Sequence, residues 1–152
     1  MTTTVRGLAG LAELAGRDLG STQWVPVHQE HAAAFAHATH ADTHAHHADE
    51  ENAEPPLGGP VADGFHTLGL VGTLVDRLLE FQEIRMNVIY GVNRVRLPSP
   101  VPHGARVRLH ADVSTVTEVR GGAMEMLVNA TVEVEGEPKP ACVAEVVYRI
   151  YG

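Results

Sequence analysis

The chain has 152 residues, 44% of them hydrophobic, and a formal net charge of -8. That length makes one domain with a real core, residues 1–152, and leaves little room for a second. The acid excess and the scattered arginines argue against a nucleic-acid or anionic-membrane surface, since both need clustered positive charge.

In chain order, residues 1–16 carry Leu8, Leu11 and Leu14 at helical spacing, which predicts a short amphipathic helix ending at Gly16. Trp24 to Val27 reads as a short edge strand, because Pro26 cannot donate to a central ladder. Gln29 to Thr39 is alanine-rich and favours a helix. A histidine-rich stretch follows, THADTHAHHADEE, Thr39 to Glu51. Pro55 to Pro60 must be a loop, because Pro and Gly break both regular structures. From Gly64 the run GFHTLGLVGTLVDRLLEF places Leu68, Val71, Leu74, Val75, Leu78 and Leu79 almost around a helix, which predicts burial.

The remainder alternates as strands over 86–97, 105–118, 123–135 and 141–151, with Val107, Leu109, Ala111 and Val113 on one face of the second. Turns are marked by PSPVPHG, RGG and EGEPKP. A helix followed by an antiparallel meander predicts an α+β fold, a sheet curled around a central helix. The single cysteine, Cys142, lies in a strand pattern and reads as a small core residue rather than a nucleophile. No basic-then-apolar leader and no membrane-length apolar run is present, so a reduced, cytoplasmic protein is expected.

Four stretches are specific. IYGVNRVRLPSPVPHGARVR (Ile89 to Arg108), KPACVAEVVYRIY (Lys139 to Tyr151), LGSTQWVPVHQEHAAAFAHAT (Leu19 to Thr39) and GGPVADGFHTLGL (Gly58 to Leu70) resemble MaoC-type hydratases of the nodulation protein N-like branch, over nearly the whole chain. The resemblance implies a hot-dog fold, a homodimer with active sites near its interface, and (R)-specific hydration of 2-enoyl thioesters of coenzyme A or a carrier protein, or the reverse dehydration. It offers no metal ligands, and no cofactor is expected; the charge already argues against a nucleic-acid or membrane partner.

Family members carry T-G-D-x-x-x-x-H-x-D between the matched segments. Hydration needs a base to activate water for attack at C3, a proton delivered to C2, and a donor for the negative charge gathering on the thioester oxygen. Asp42, His47 and Asp49 reproduce the spacing, and Glu51 and Ala53 extend it. This register needs one extra residue after Phe35 and one fewer before the ADGF turn; the ungapped register puts Ala41 and His46 at the catalytic positions and removes the acid. Short length changes in loops cost little, which favours Asp42 and His47. The oxyanion donor would be the amide of Gly64 or of Phe65 at the helix N-terminus.

Asp63 stands where the family commonly has histidine, so an altered acid-base set of Asp63 with His46 or His47 stays open. It would suit a thioesterase, isomerase or cyclase; a non-catalytic binding module is the other alternative. His44 replaces the usual Asn or Gln two residues after the catalytic acid and, with Phe65, His66, Tyr90 and Asn93, is a candidate substrate contact. Tyr90 and Asn93 could line a pocket, but strand residues of this type are more often packing and ladder contacts; Arg94 and Arg96 could steer the phosphates of coenzyme A or a carrier arm, though a solvated strand face explains each more simply. His40 and His44, or His44 and His46, could share a face toward zinc, but a site needs three or four convergent ligands. His37, His40 and His44 read as exposed.

Overall fold

The computed structural model describes residues 1–41 and 59–152. Its elements are β1 (Thr3–Arg6), α1 (Gly7–Ala12), β2 (Asp18–Ser21), β3 (Val25–Pro26), α2 (Gln29–Ala38), α3 (Gly64–Val75), β4 (Leu79–Gln82), β5 (Met86–Arg96), β6 (Arg106–Glu118), β7 (Met124–Val134) and β8 (Cys142–Tyr151). The main sheet runs β2-β6-β7-β8-β5, with β3 also pairing to β6. All its pairings are antiparallel.

The sheet has one dry face because the long strands alternate. Val107, Leu109, Ala111 and Val113 of β6, Met126, Val128, Ala130 and Val132 of β7, and Ala144, Val146, Tyr148 and Ile150 of β8 are all buried. The helix α3 lies on β6, β7 and β8 and contributes Val71, Leu74 and Val75 to the same core. Each such aliphatic side chain withdrawn from water stabilises the fold by roughly 1.5–3 kcal/mol. Cys142 is buried in this core as read, and burial pushes its thiol pKa up. A sheet wrapped on one long helix is the expected α+β, hot-dog arrangement.

Several local expectations are corrected. The N-terminal segment is not one helix: Thr3 to Arg6 form β1, paired in parallel with Leu79 to Gln82 of β4, and only Gly7–Ala12 is helical. β2 was not anticipated. The long strands are not a simple meander, since β5 pairs with β8 rather than β6. The central helix ends at Val75, because Leu79 to Gln82 are claimed by that parallel pairing.

Nor is α3 buried all round within one chain. Thr67, Val71, Leu74 and Val75 face the core, while Phe65 on the other side is 76% exposed. That open side adjoins β5, the sheet's edge strand, where Ile89 and, just past the strand's end, Leu97 approach α3, and where Met86, Val88, Tyr90 and Val92 are further exposed apolar or aromatic residues.

Candidate active site at the start of α3

Asp63 sets the start of α3. Its backbone is extended (φ -59°, ψ 142°) and its Oδ1 accepts the Phe65 N–H at 2.7 Å, a side-chain N-cap. The first helical residue is Gly64, which must be small: an added Cβ would lie 2.6 Å from Leu97 Cδ1. The Phe65 amide, one of the two expected oxyanion donors, is therefore spent on Asp63. Among the described residues no bond from the Gly64 N–H is formed, and the positive end of the helix dipole lies behind it.

His66, and near it His31 and His103, lie by this turn. His66 stacks on Phe35 of α2, centroids 5.3 Å apart with 12° between planes. Its Nδ1 is buried and has no partner among the described residues. Burial lowers the His66 pKa, the nearby His31 lowers it further, Asp63 partly opposes, and His103 adds to the lowering. His66 is thus a neutral imidazole beside the helix start. His31 in turn accepts the His28 N–H on Nδ1 at 3.2 Å, at the start of α2.

His103 was missed by the sequence reading, which took PSPVPHG only as a turn. Its backbone N–H donates to Pro60 O (3.1 Å), and Gly104 N–H donates to Val27 O (2.7 Å), pinning this loop beside α3. Both His103 ring nitrogens are buried without a partner among the described residues. A histidine between proline and glycine in a loop was the available signal.

Asp42, His44, His46, His47, Asp49, Glu51 and Ala53 lie outside the described residues, as do Pro55 to Gly58. The chain leaves and re-enters beside α3. Ala41 lines a small cavity with Asp63, Phe35 and Thr39, and Pro60 carries the bond from His103. His37 and His40 are exposed, matching the bland reading of each. Among the described residues no group of three or more His, Cys, Asp or Glu converges as a metal site.

Tyr90 and Asn93 are not brought to this turn. Tyr90, unpaired at a bulge between Ile89 and Gly91, shares the sheet's outer face with Val88, and the Arg149 guanidinium lies 4.0 Å from its ring centroid. Asn93 Nδ2 donates to Glu145 Oε1 at 2.7 Å across the β5–β8 ladder. Arg94 and Arg96 line a cavity of about 310 Å³ on that outer face with Asn93, Asn129 and Glu145.

A family model described as MaoC like domain matches residues 11–136. The chain belongs to that family. It is 39% identical over 146 residues to 3-hydroxyacyl-thioester dehydratase Z of Mycobacterium tuberculosis, covering 96% of this chain and 97% of the relative. It is 37% identical over 140 residues to Nodulation protein N of Rhizobium meliloti, covering 90% and 86%, which bears out the nodulation protein N-like branch. The solved structure of a monoamine oxidase regulatory protein from Archaeoglobus superposes with TM-score 0.82 at 18% identity, covering 99% of this chain and 97% of that one, and shares the fold. No helix among the described residues is long and apolar enough to cross a membrane.

Proposed function

We propose that this MaoC-like chain is a hydro-lyase that adds water to 2-enoyl thioesters with (R) stereochemistry, or removes it from 3-hydroxyacyl thioesters. The observation that carries the reading is the start of α3: a Gly64 N–H at a helix N-terminus with no partner among the described residues, near Ala41, the last described residue before residues 42–58, and Pro60, the second after them. The name of the 39% identical relative supports the same chemistry.

In the hydration direction Asp42 and His47 hold a water molecule, one of them taking its proton as the oxygen attacks C3. The C2=C3 electron pair moves toward the thioester, and the enolate oxygen is stabilised by the Gly64 N–H and the helix dipole. A proton delivered to C2 completes the addition, and the reverse sequence expels water. A neutral His66 beside Gly64 adds no charge to compete for that oxyanion. Asp63 serves as the helix cap, which leaves the acid role to Asp42.

The working unit in this reading is a homodimer. An edge strand of eleven residues with an exposed apolar surface continuous with α3 is a liability unless a second copy covers it. Light scattering on the purified protein should give twice the chain mass, and a stable monomer across concentrations contradicts this part.

The catalytic test is hydration of a crotonyl thioester. Asp42→Asn and His47→Ala should each lower it by orders of magnitude, and near-normal activity in both sinks the assignment.

A further inference from the structure

Arginines on the outer face of the sheet fall into two groups. Arg106, Arg108 and Arg149 each reach across to a carboxylate, Glu135, Glu133 and Glu125 respectively. Arg94 and Arg96 of β5 have no such partner among the described residues. Arg96 Nη1 donates to the neighbouring Val95 O at 2.7 Å. Arg94 stands opposite Glu145 in the β5–β8 register, yet that carboxylate accepts from Asn93 Nδ2 at 2.7 Å instead. On a chain with 19 acidic residues and 11 Lys and Arg, two guanidinium groups on one strand are left without a counter-charge.

Both line the cavity of about 310 Å³ on that face, with Asn93, Asn129, Thr131 and Glu145. Val95 between them packs against the core, so strand alternation sends the two guanidinium groups outward on the same side. The second copy of the proposed homodimer meets the free edge of β5; the cavity lies inward of that edge, over β8 and β7. It also shares its end of the sheet with the start of α3. Leu97, next after Arg96, is the residue a Cβ on Gly64 would strike, and the segment beyond it is tied to the helix entry by the Ala62 N–H donating to Val101 O at 2.8 Å. From Leu97 back to Arg94 is about 10 Å of extended strand. A pantetheine arm is about as long as four extended residues, roughly 14 Å, so a thioester at the Gly64 N–H can carry its arm round the end of β5 to this cavity.

Unpaired guanidinium forks flanked by amide and hydroxyl donors fit an oxyanion with several oxygens. An apolar chain would leave both charges bare, and an ammonium would be repelled by them. The anionic group that a thioester arm carries at its far end is a phosphate ester. We propose that Arg94 and Arg96 hold the phosphate at the end of the substrate's pantetheine arm, and that this contact makes the enzyme prefer phosphorylated thioesters. Coenzyme A and a carrier protein share that phosphate, and coenzyme A adds those of its nucleotide. The inference rests on the thioester reading above and adds how the carrier is recognised. Glu145, beside the arginines, opposes a bound phosphate, which gives the site a test of sign.

The test compares kcat and KM for the crotonyl thioesters of pantetheine, 4′-phosphopantetheine and coenzyme A in the wild type and in Arg94→Gln, Arg96→Gln and Glu145→Gln. Each arginine variant should lose about tenfold in kcat/KM on a phosphorylated arm, through KM and not kcat, and the loss should be absent with the pantetheine thioester. Glu145→Gln, which removes the opposing charge and keeps an acceptor for Asn93, should move KM the other way. A loss already present with 4′-phosphopantetheine puts the phosphate common to both carriers in the cavity, and a loss confined to coenzyme A puts a nucleotide phosphate there; either supports the proposal. Equal losses on all the thioesters, or no loss on any, overturn it and leave the hydratase reading standing. No hydration of any thioester by the wild type overturns both. Arginine variants that fall to half the wild-type mass in light scattering assign these residues to self-association and also overturn the proposal.

Discussion

At its N-terminus α3 offers a donor, the Gly64 N–H, to a developing negative charge; at its C-terminal end the same helix offers acceptors, Asp76 with Asn87 beside it, and the half-orphaned Tyr148. The first end is built from backbone, so its chemistry depends on a helix start and a glycine more than on any one side chain. The second is built from side chains that sheet and helix bury together. The two ends of one helix therefore differ in electrostatic character, and the two can be broken separately.

The largest effects should come from the N-terminal end. Loss of Asp42 or His47 removes the proton transfers themselves. Next comes the donor. Proline is tolerated at the first helical position, and Asp63 already has the extended backbone that precedes proline, so Gly64→Pro removes the N–H while keeping the helix. Leu97→Ala makes room for the added Cβ. In that background Gly64→Pro should have a kcat about 10²–10³-fold below Gly64→Ala, and equal rates would take the oxyanion away from this amide.

The scaffold common to both ends is tested by Leu74→Ala, a fully buried position on the core side of α3. It should cost about 2–5 kcal/mol in urea unfolding, with activity per folded molecule little changed. A smaller effect separates the ends by pH. Because the His66 pKa is lowered, the unfolded chain takes up that proton first as pH falls, so stability declines through the ordinary histidine range and levels off below the lowered value. His66→Gln should flatten part of this slope in urea midpoints measured against pH, whereas Asp76→Asn should leave it in place. Smallest of all, Glu133→Gln breaks a half-exposed pair with Arg108 on the outer face and should cost no more than about 1 kcal/mol by the same unfolding measurement.

Much of the fold was legible because its dry face is written as alternation. Val107 to Val113 and Met126 to Val132 fall inward as read, and the chain starts α3 where ADGF predicts. What failed was non-local. Thr3 to Arg6 become a strand only because Leu79 to Gln82, more than seventy residues on, present a parallel edge, and no local period records that. The bulge that leaves Tyr90 without a partner in the ladder to β8 is equally invisible in composition. Of the candidate site, the sequence reading placed Asp63, Gly64 and His66 at the start of α3, where the structure has them, while His103 arrives from a loop whose prolines advertised only a turn.

The most direct measurement is chiral analysis of the product formed from crotonyl-CoA and water by the purified protein. The account predicts (R)-3-hydroxybutyryl-CoA, formed by the wild type and lost in Asp42→Asn. A product of (S) configuration, or no hydration by the wild type, would contradict it.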